Sequence, residues 1–212
     1  MRWRTRLTAL LGILFLLAAT LADAQDAKQD PKAPPFEPNY YPLQVGNQWT
    51  FRVTVGDSST IATSRIAKIE TMDDVPMARL EASVNGNVVA TEHLAQNKDG
   101  VFRYRNNALE ITPPICLLKY PVVPGAKWDG DITVGKDKGK YSCETKEEAV
   151  EVTAGKYQAM RVTIKLESKG QNVTTTYWFV KDIGFVKQTV GAGDLNITME
   201  LEKFEKAKVL PK

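Results

Sequence analysis

A single histidine, His93, is all the imidazole in this chain of 212 residues. That scarcity removes the side chain most often used for proton transfer near neutral pH. No G-x-S-x-G, H-E-x-x-H or phosphate-binding loop occurs either. His93 stands in "TEHL", and a lone histidine at a strand position packs more often than it reacts. Charge of one sign is also missing: Lys and Arg number 28 against 25 Asp and Glu, a net +3. Such a chain has no basic field to draw nucleic acid or anionic lipid. No window of twelve residues keeps an apolar stripe at helical spacing, so amphipathic helices are not expected.

Carboxylates occur in pairs at Asp73–Asp74, Glu147–Glu148 and in "DGD" at 129–131. Neighbours on a strand point to opposite faces, so neither adjacent pair makes an acid–base dyad by itself. "DGDITVGKDKG" supplies the alternating oxygens and late glutamate of a calcium loop poorly, and reads as a solvated turn. "NVT" (172–174) and "NIT" (196–198) fit the glycosylation triplet, which is common by chance. The expectation is a chain with no catalytic residue, no metal site and no cofactor.

What is present begins with a leader. Arg2, Arg4 and Arg6 precede an apolar run from Leu7 to Leu21, and Ala22 and Ala24 form an A-x-A site. This is the pattern of a secretory signal peptide over residues 1–24. The uncharged run is about 16 residues, short of the roughly 20 needed to span a bilayer, so no transmembrane segment is expected in the mature chain. No cysteine stands at the cleavage point for lipid attachment. Cleavage takes away three arginines and Asp23, which leaves +1. The basicity belongs to the leader. Residues 25–39, "QDAKQDPKAPPFEPN", hold four prolines and alternating charges, and read as a flexible tether. Residues 40–206 suffice for one sizeable core, with 207–212 as a tail.

Two cysteines remain, Cys116 and Cys143. In an exported chain an even pair is most simply a disulfide. A reactive thiol would want a C-x-x-C or a nearby base, and neither is visible.

From the tether onward the hydrophobic period is two. Trp49, Phe51, Val53 and Val55 alternate with Gln48, Thr50, Arg52 and Thr54. Met160, Val162, Ile164 and Leu166 do the same, as do Leu195, Ile197, Met199 and Leu201. These are half-buried strands, broken by turn signals such as "GDSS", "NGN", "NKDG", "GKDKGK", "SKGQN" and "GAGD". The fold class is all-β and antiparallel, with about ten strands. "TTTYWFVK" is apolar on both faces, with Tyr177 and Phe179 on one side and Trp178 and Val180 on the other. Such a strand is covered on both sides, and Tyr177, Trp178 and Phe179 are the candidate contacts for an apolar ligand.

The chain also repeats itself. Residues 41–56 and 120–135 share seven of sixteen positions at an offset of 79, as Y-P-x-x-x-G-x-x-W with T-V-G at the end. Residues 86–103 then match 170–187 at offset 84, through Gly86/Gly170, Val89/Val173, Thr91/Thr175 and Gly100/Gly184. That register sets His93 against Tyr177. "LEIT" (109–112) meets "LNIT" (195–198) at offset 86. The reading is two β units, about 41–113 and 120–206. Pro42 and Pro121 suit a strand lead-in, Gly46 and Gly125 a tight turn, and Trp49 and Trp128 serve as buried anchors. The repeated skeleton is structural.

"YYPLQVGNQWTFRV", "LLKYPVVPGAKWDG", "VTAGKYQAMRVTI" and "TTTYWFVKDIGFVK", in that order, resemble a group of exported bacterial β-rich proteins of uncharacterised function. These look like distant relatives of the lipoprotein-carrier (LolA-like) half-barrels, and the resemblance covers most of residues 40–190. It implies a strongly curved antiparallel sheet, a half-barrel or open barrel, whose concave face holds an acyl chain. The chain lacks the helices that plug the carriers proper. Two functions are therefore expected in competition. One is a non-enzymatic exported module that binds or scaffolds an envelope protein, periplasmic or secreted. The other is a carrier or sensor of a lipid-like apolar small molecule.

Overall fold

The structure, a computed structural model, describes residues 39–208. The leader, and the tether up to residue 38, lie outside the described residues, as does the tail beyond residue 208. The chain runs through β1 (Gln48–Val55), β2 (Ser58–Met72), β3 (Val75–Val84), β4 (Asn87–Asn97), β5 (Gly100–Asn106) and β6 (Leu109–Lys119). It continues through β7 (Lys127–Val134), β8 (Asp137–Val152), β9 (Gly155–Ser168), β10 (Gln171–Val180), β11 (Gly184–Ala192) and β12 (Leu195–Glu205). Each strand pairs antiparallel with the next in sequence. The described residues therefore hold twelve strands, where the periodicity suggested about ten.

Sheet curvature, expected as a half-barrel or open barrel, is carried to closure. β1 pairs with β12 from Gln48↔Glu205 to Val55↔Ile197, and no edge strand is left. Closing the ring removes the exposed strand edge that an open sheet must otherwise protect. Register shifts help bend it, at Thr50/Phe51, Ile66/Lys68, Ala82/Ser83, His93/Leu94 and Trp178/Phe179 among others. One seam is thin. β6 and β7 share the pairs Ile111↔Val134 and Thr112↔Thr133, after which Pro113 and Pro114 have no N–H to donate. Farther along that seam the Trp128 indole N–H donates to the Cys116 carbonyl at 3.0 Å.

A meander places both terminal segments and the β2–β3, β4–β5, β8–β9 and β10–β11 turns at one end. That end is filled by rings. Phe51 stacks on Phe185 at 4.8 Å between centroids, Trp49 on Phe204 at 5.2 Å and Tyr177 on Phe179 at 5.5 Å. Tyr41 sits among them, edge-on to Trp49 and Phe185. The tip of the long β8–β9 hairpin reaches across to β12, where the Ala154 N–H donates to the Leu201 carbonyl at 2.9 Å. To do so β8 changes its buried face, from Cys143 and Thr145 in its middle to Val150 and Val152 at its end.

The two strand openings are built alike. Gly46 N–H donates to the Ile66 carbonyl and Gly125 N–H to the Thr145 carbonyl, both at 2.9 Å. The return bonds, Ile66 N–H to Asn47 and Thr145 N–H to Ala126, are both 3.0 Å. The two glycines have φ of 92° and 80°, which a side chain would strain. Trp49 and Trp128 follow, 2% and 8% exposed. The openings differ in that the Tyr120–Pro121 bond is cis. Asn47 also ties down both ends of the domain: its amide donates to the Pro42 carbonyl and accepts from the Ala207 N–H, each at 2.8 Å. Asn39, assigned to the tether, accepts from Asp182 N–H at 2.7 Å and so belongs to the barrel. Strands begin at Gln48 and Lys127, at Asn87 and Gln171, and at Leu109 and Leu195. These are the same offsets of 79, 84 and 86 residues that the sequence matches show.

Matching turns do not mean matching faces. The offset of 84 sets His93 against Tyr177, yet Tyr177 lines the lumen while His93 lies on the outer wall against Glu70. β4 carries an extra residue, Val89, where Ala82 pairs with Ala90 and Ser83 with Val88, whereas β10 runs unbroken against β9 from Gln171 to Phe179. One extra residue in β4 with no counterpart in β10 swaps inside and outside between the aligned strands.

The expected disulfide is absent. Cys116 and Cys143 are both free, buried thiols. They come from β6 and β8, and Trp128 on the intervening β7 is the cross-strand partner of Cys143. The Cys143 sulfur faces the Cys116 carbonyl at 4.0 Å.

Candidate functional site

A cavity of about 100 Å³ remains inside the barrel. It runs from Tyr41 and Phe185 at the ring-filled end to Asn106, the last residue of β5. Its room comes from small side chains on neighbouring strands. Ser64 pairs with Ala82, and Ala82 with Ala90, so β2, β3 and β4 present a shallow wall there. Facing them are Tyr177, Thr175 and Gln188 from β10 and β11.

Into this lumen β4 and β5 turn one charge each. Arg103 Nε donates to Glu92 Oε2 at 2.9 Å, and its Nη2 lies 2.9 Å from the same oxygen. The same Nη2 reaches across to the Tyr177 hydroxyl at 2.9 Å. The side chains of Glu92 and Arg103 are each only 17% exposed. Burial works against the Arg103 charge, but the opposing Glu92 carboxylate and the Tyr177 hydroxyl outweigh it and hold the guanidinium protonated. Burial, with Glu92 next, pushes the Tyr41 phenol well up. Tyr177 is raised as well, through burial, although Arg103 pulls the other way. Both phenols are therefore protonated near neutral pH. The arrangement is a neutralised ion pair beside hydrogen-bonding phenols, with apolar walls around it.

Of the aromatic trio on β10, only Tyr177 lines this cavity. Phe179 is fully buried in the ring cluster, packed on Tyr41 and Tyr177. Trp178 points outward, where its indole donates to Glu148 at 3.2 Å. Lys187 lies 5.8 Å from its ring centre, and Arg161 holds Glu148 at 2.9 Å. The second cover on this strand is thus a lattice of charged side chains instead of a further sheet. Trp49 and Trp128 both donate to backbone carbonyls, of Ile183 and Cys116. Burial pushes the Cys116 thiol up to about 11 and Cys143 higher still. Neither is a thiolate at neutral pH.

His93 is held on the outer wall, its Nε2 2.7 Å from Glu70 Oε2. Lys68 takes the other Glu70 oxygen at 2.8 Å, and Arg79 bonds Glu81 at 3.0 Å. Burial lowers the His93 pKa; Glu70 opposes this, while Arg79 and Arg105 reinforce it. No group of three metal-ligating side chains forms among the described residues.

Glu92 and Arg103 escaped the sequence reading, although a signal existed. Glu92 alternates with Ala90 and Leu94, and Arg103 stands two residues from Val101, all of them buried. A charge on the apolar face of a strand is the mark of a polar group turned into the core.

No protein-family model matches the chain, and no curated protein matches it. Among solved structures, the barrel is similar to a candidate lipoprotein from Parabacteroides distasonis. That likeness has a TM-score of 0.52 and 12% identity, over 78% of this chain and 98% of the other. A candidate exported protein with a YmcC-like fold, from Bacteroides fragilis, aligns over the same shares with a TM-score of 0.46 and 16% identity. At such identities the first likeness is one of fold, and the second is too distant to argue from.

Proposed function

We propose that this chain is an exported, non-enzymatic β-barrel module of the bacterial cell envelope that binds or scaffolds a partner protein. The observation that carries this is the filling of the barrel: stacked rings close one end and leave about 100 Å³ of free lumen. Pockets for drug-sized ligands are roughly 300–1,000 Å³, so recognition of a large partner falls to the outer wall. That wall is charged around its girth, through Arg52–Glu202, Arg79–Glu81, Arg161–Glu148 and Lys187–Glu200. A barrel facing lipid carries an apolar outer band instead. Trp178, flanked by Arg161 and Lys187, offers the aromatic and cationic chemistry that anchors protein interfaces. The leader pattern at 1–24 supports a mature chain outside the cytoplasm, in the periplasm or beyond it.

The same reading takes 41–113 and 120–206 as copies of one six-strand unit. The shared strand offsets and the repeated hydrogen bonds at Gly46 and Gly125 support it.

A second reading, a carrier or sensor of a lipid-like molecule, is favoured by the apolar lining of the cavity and opposed by its size. A photo-reactive residue at position 178, in chain exported in its own host, separates the two. A discrete protein adduct supports the module. No adduct, with an acyl lipid found in the natively purified protein by mass spectrometry, supports the carrier.

A further inference from the structure

We propose that the lumen cavity is a binding site for a small uncharged amphiphile, an aliphatic amide or alcohol whose polar end meets Tyr177, Gln188 and Thr175. The envelope-module reading concerns the outer wall, so this inference goes beyond it and is tested separately.

Three features argue for a ligand. The first is the placement of the void. Protein interiors are close-packed, and this core is otherwise filled by buried side chains such as Phe51, Phe179 and Val162, yet Ser64, Ala82 and Ala90 leave space directly beside the charged pair. The second is the pair itself. A buried ion pair stabilises a fold no better than well-packed apolar residues of the same volume. Stability alone therefore explains neither Glu92 with Arg103 in the lumen nor a cavity beside them. The third is the supply of hydrogen bonds. Tyr177 accepts from Arg103, and a phenol that accepts still has its own proton to donate. Gln188, the cross-strand partner of Tyr177, adds an amide that both donates and accepts, and Thr175 adds a hydroxyl on the same wall.

Charge and size set the ligand class. Arg103 is already neutralised by Glu92 at 2.9 Å. An entering anion or cation would lose its hydration without finding an uncompensated opposite charge, and a neutral molecule escapes that cost. A dry cavity of about 150 Å³ accepts benzene, so about 100 Å³ suits a molecule of roughly four or five non-hydrogen atoms. The lining reaches Asn106 at the rim, which gives access from the end opposite the ring cluster.

The test is a ligand-observed NMR titration of the mature chain with propionamide, propionate and propylammonium, which share a shape and differ in charge. Propionamide should bind saturably, and the two ions at least about tenfold more weakly. Ala90→Leu, which fills the cavity, should abolish propionamide binding while leaving the thermal midpoint no lower. Ala82→Leu, its cross-strand neighbour, serves if the first variant does not fold. Absent or non-saturable propionamide binding overturns the site. So does equal binding of all three probes, or unchanged binding in a folded, cavity-filled variant.

Discussion

Arg103 on β5 donates to the hydroxyl of Tyr177 on β10 across the width of the lumen, at 2.9 Å. The two residues stand in different halves of the chain, and Glu92 holds the donor from the neighbouring strand. This three-residue link ties β5 to β10 through the barrel.

Arg103→Met should be costly, because it strands the Glu92 carboxylate in the lumen. Breaking a buried pair by removing one partner typically costs about 3–5 kcal/mol. Glu92→Leu combined with Arg103→Met should recover most of that loss. Urea denaturation of the single and double variants checks it. A single variant within about 1 kcal/mol of the parent would show that water reaches the pair.

Trp49→Ala and Trp128→Ala should each destabilise by roughly 3–5 kcal/mol. Both rings are buried and both lose an indole hydrogen bond. Trp49 also stacks on Phe204 and meets Tyr41, so its loss should be the larger. The reverse order in equilibrium unfolding would contradict the ring cluster as the main seal.

Cys116 and Cys143 should react with a thiol reagent only after unfolding. Both are buried, and burial raises both thiols, Cys116 to about 11. Mass spectrometry should find two labels on denatured, unreduced protein and none on native protein after brief exposure. An unlabelled denatured chain would mean that the sulfurs are bridged after all.

His93 should make stability fall in mild acid. The unfolded chain, with an imidazole near 6.5, takes up its proton before the folded chain does, because burial depresses the folded value. The contribution is therefore full above about pH 6.5 and is lost as the pH drops below it toward the folded value. Glu70, the facing carboxylate, is itself held low: burial pushes it up, but Lys68 and His93 outweigh that. Its share goes only in stronger acid. His93→Gln should flatten the slope of stability against pH just below about 6.5, and a slope that survives the substitution would place its origin elsewhere.

Much of the fold was legible in the residues. Alternation such as Trp49, Phe51 and Val53 against Thr50 and Arg52 declares a half-buried strand, because a pleated backbone sends neighbours to opposite faces. The glycine-bearing turns and the two Y-P-x-x-x-G-x-x-W openings are local chemistry too, and the structure puts Gly46 and Gly125 into the same hydrogen bonds. β8 obscured the strand count, since its buried face changes between Thr145 and Val150 as its tip bends over the barrel end.

What depended on tertiary structure was everything set by distant pairing. β1 meets β12 only when ten strands between them have twisted and bulged by the right amounts. The extra residue Val89 in β4 then decides that Glu92 faces the lumen and His93 the outside. Nothing in the local pattern fixes where Arg103 ends, 74 residues from Tyr177 and within 2.9 Å of it. Residue identities determine which positions alternate. Closure of the ring determines which of them meet.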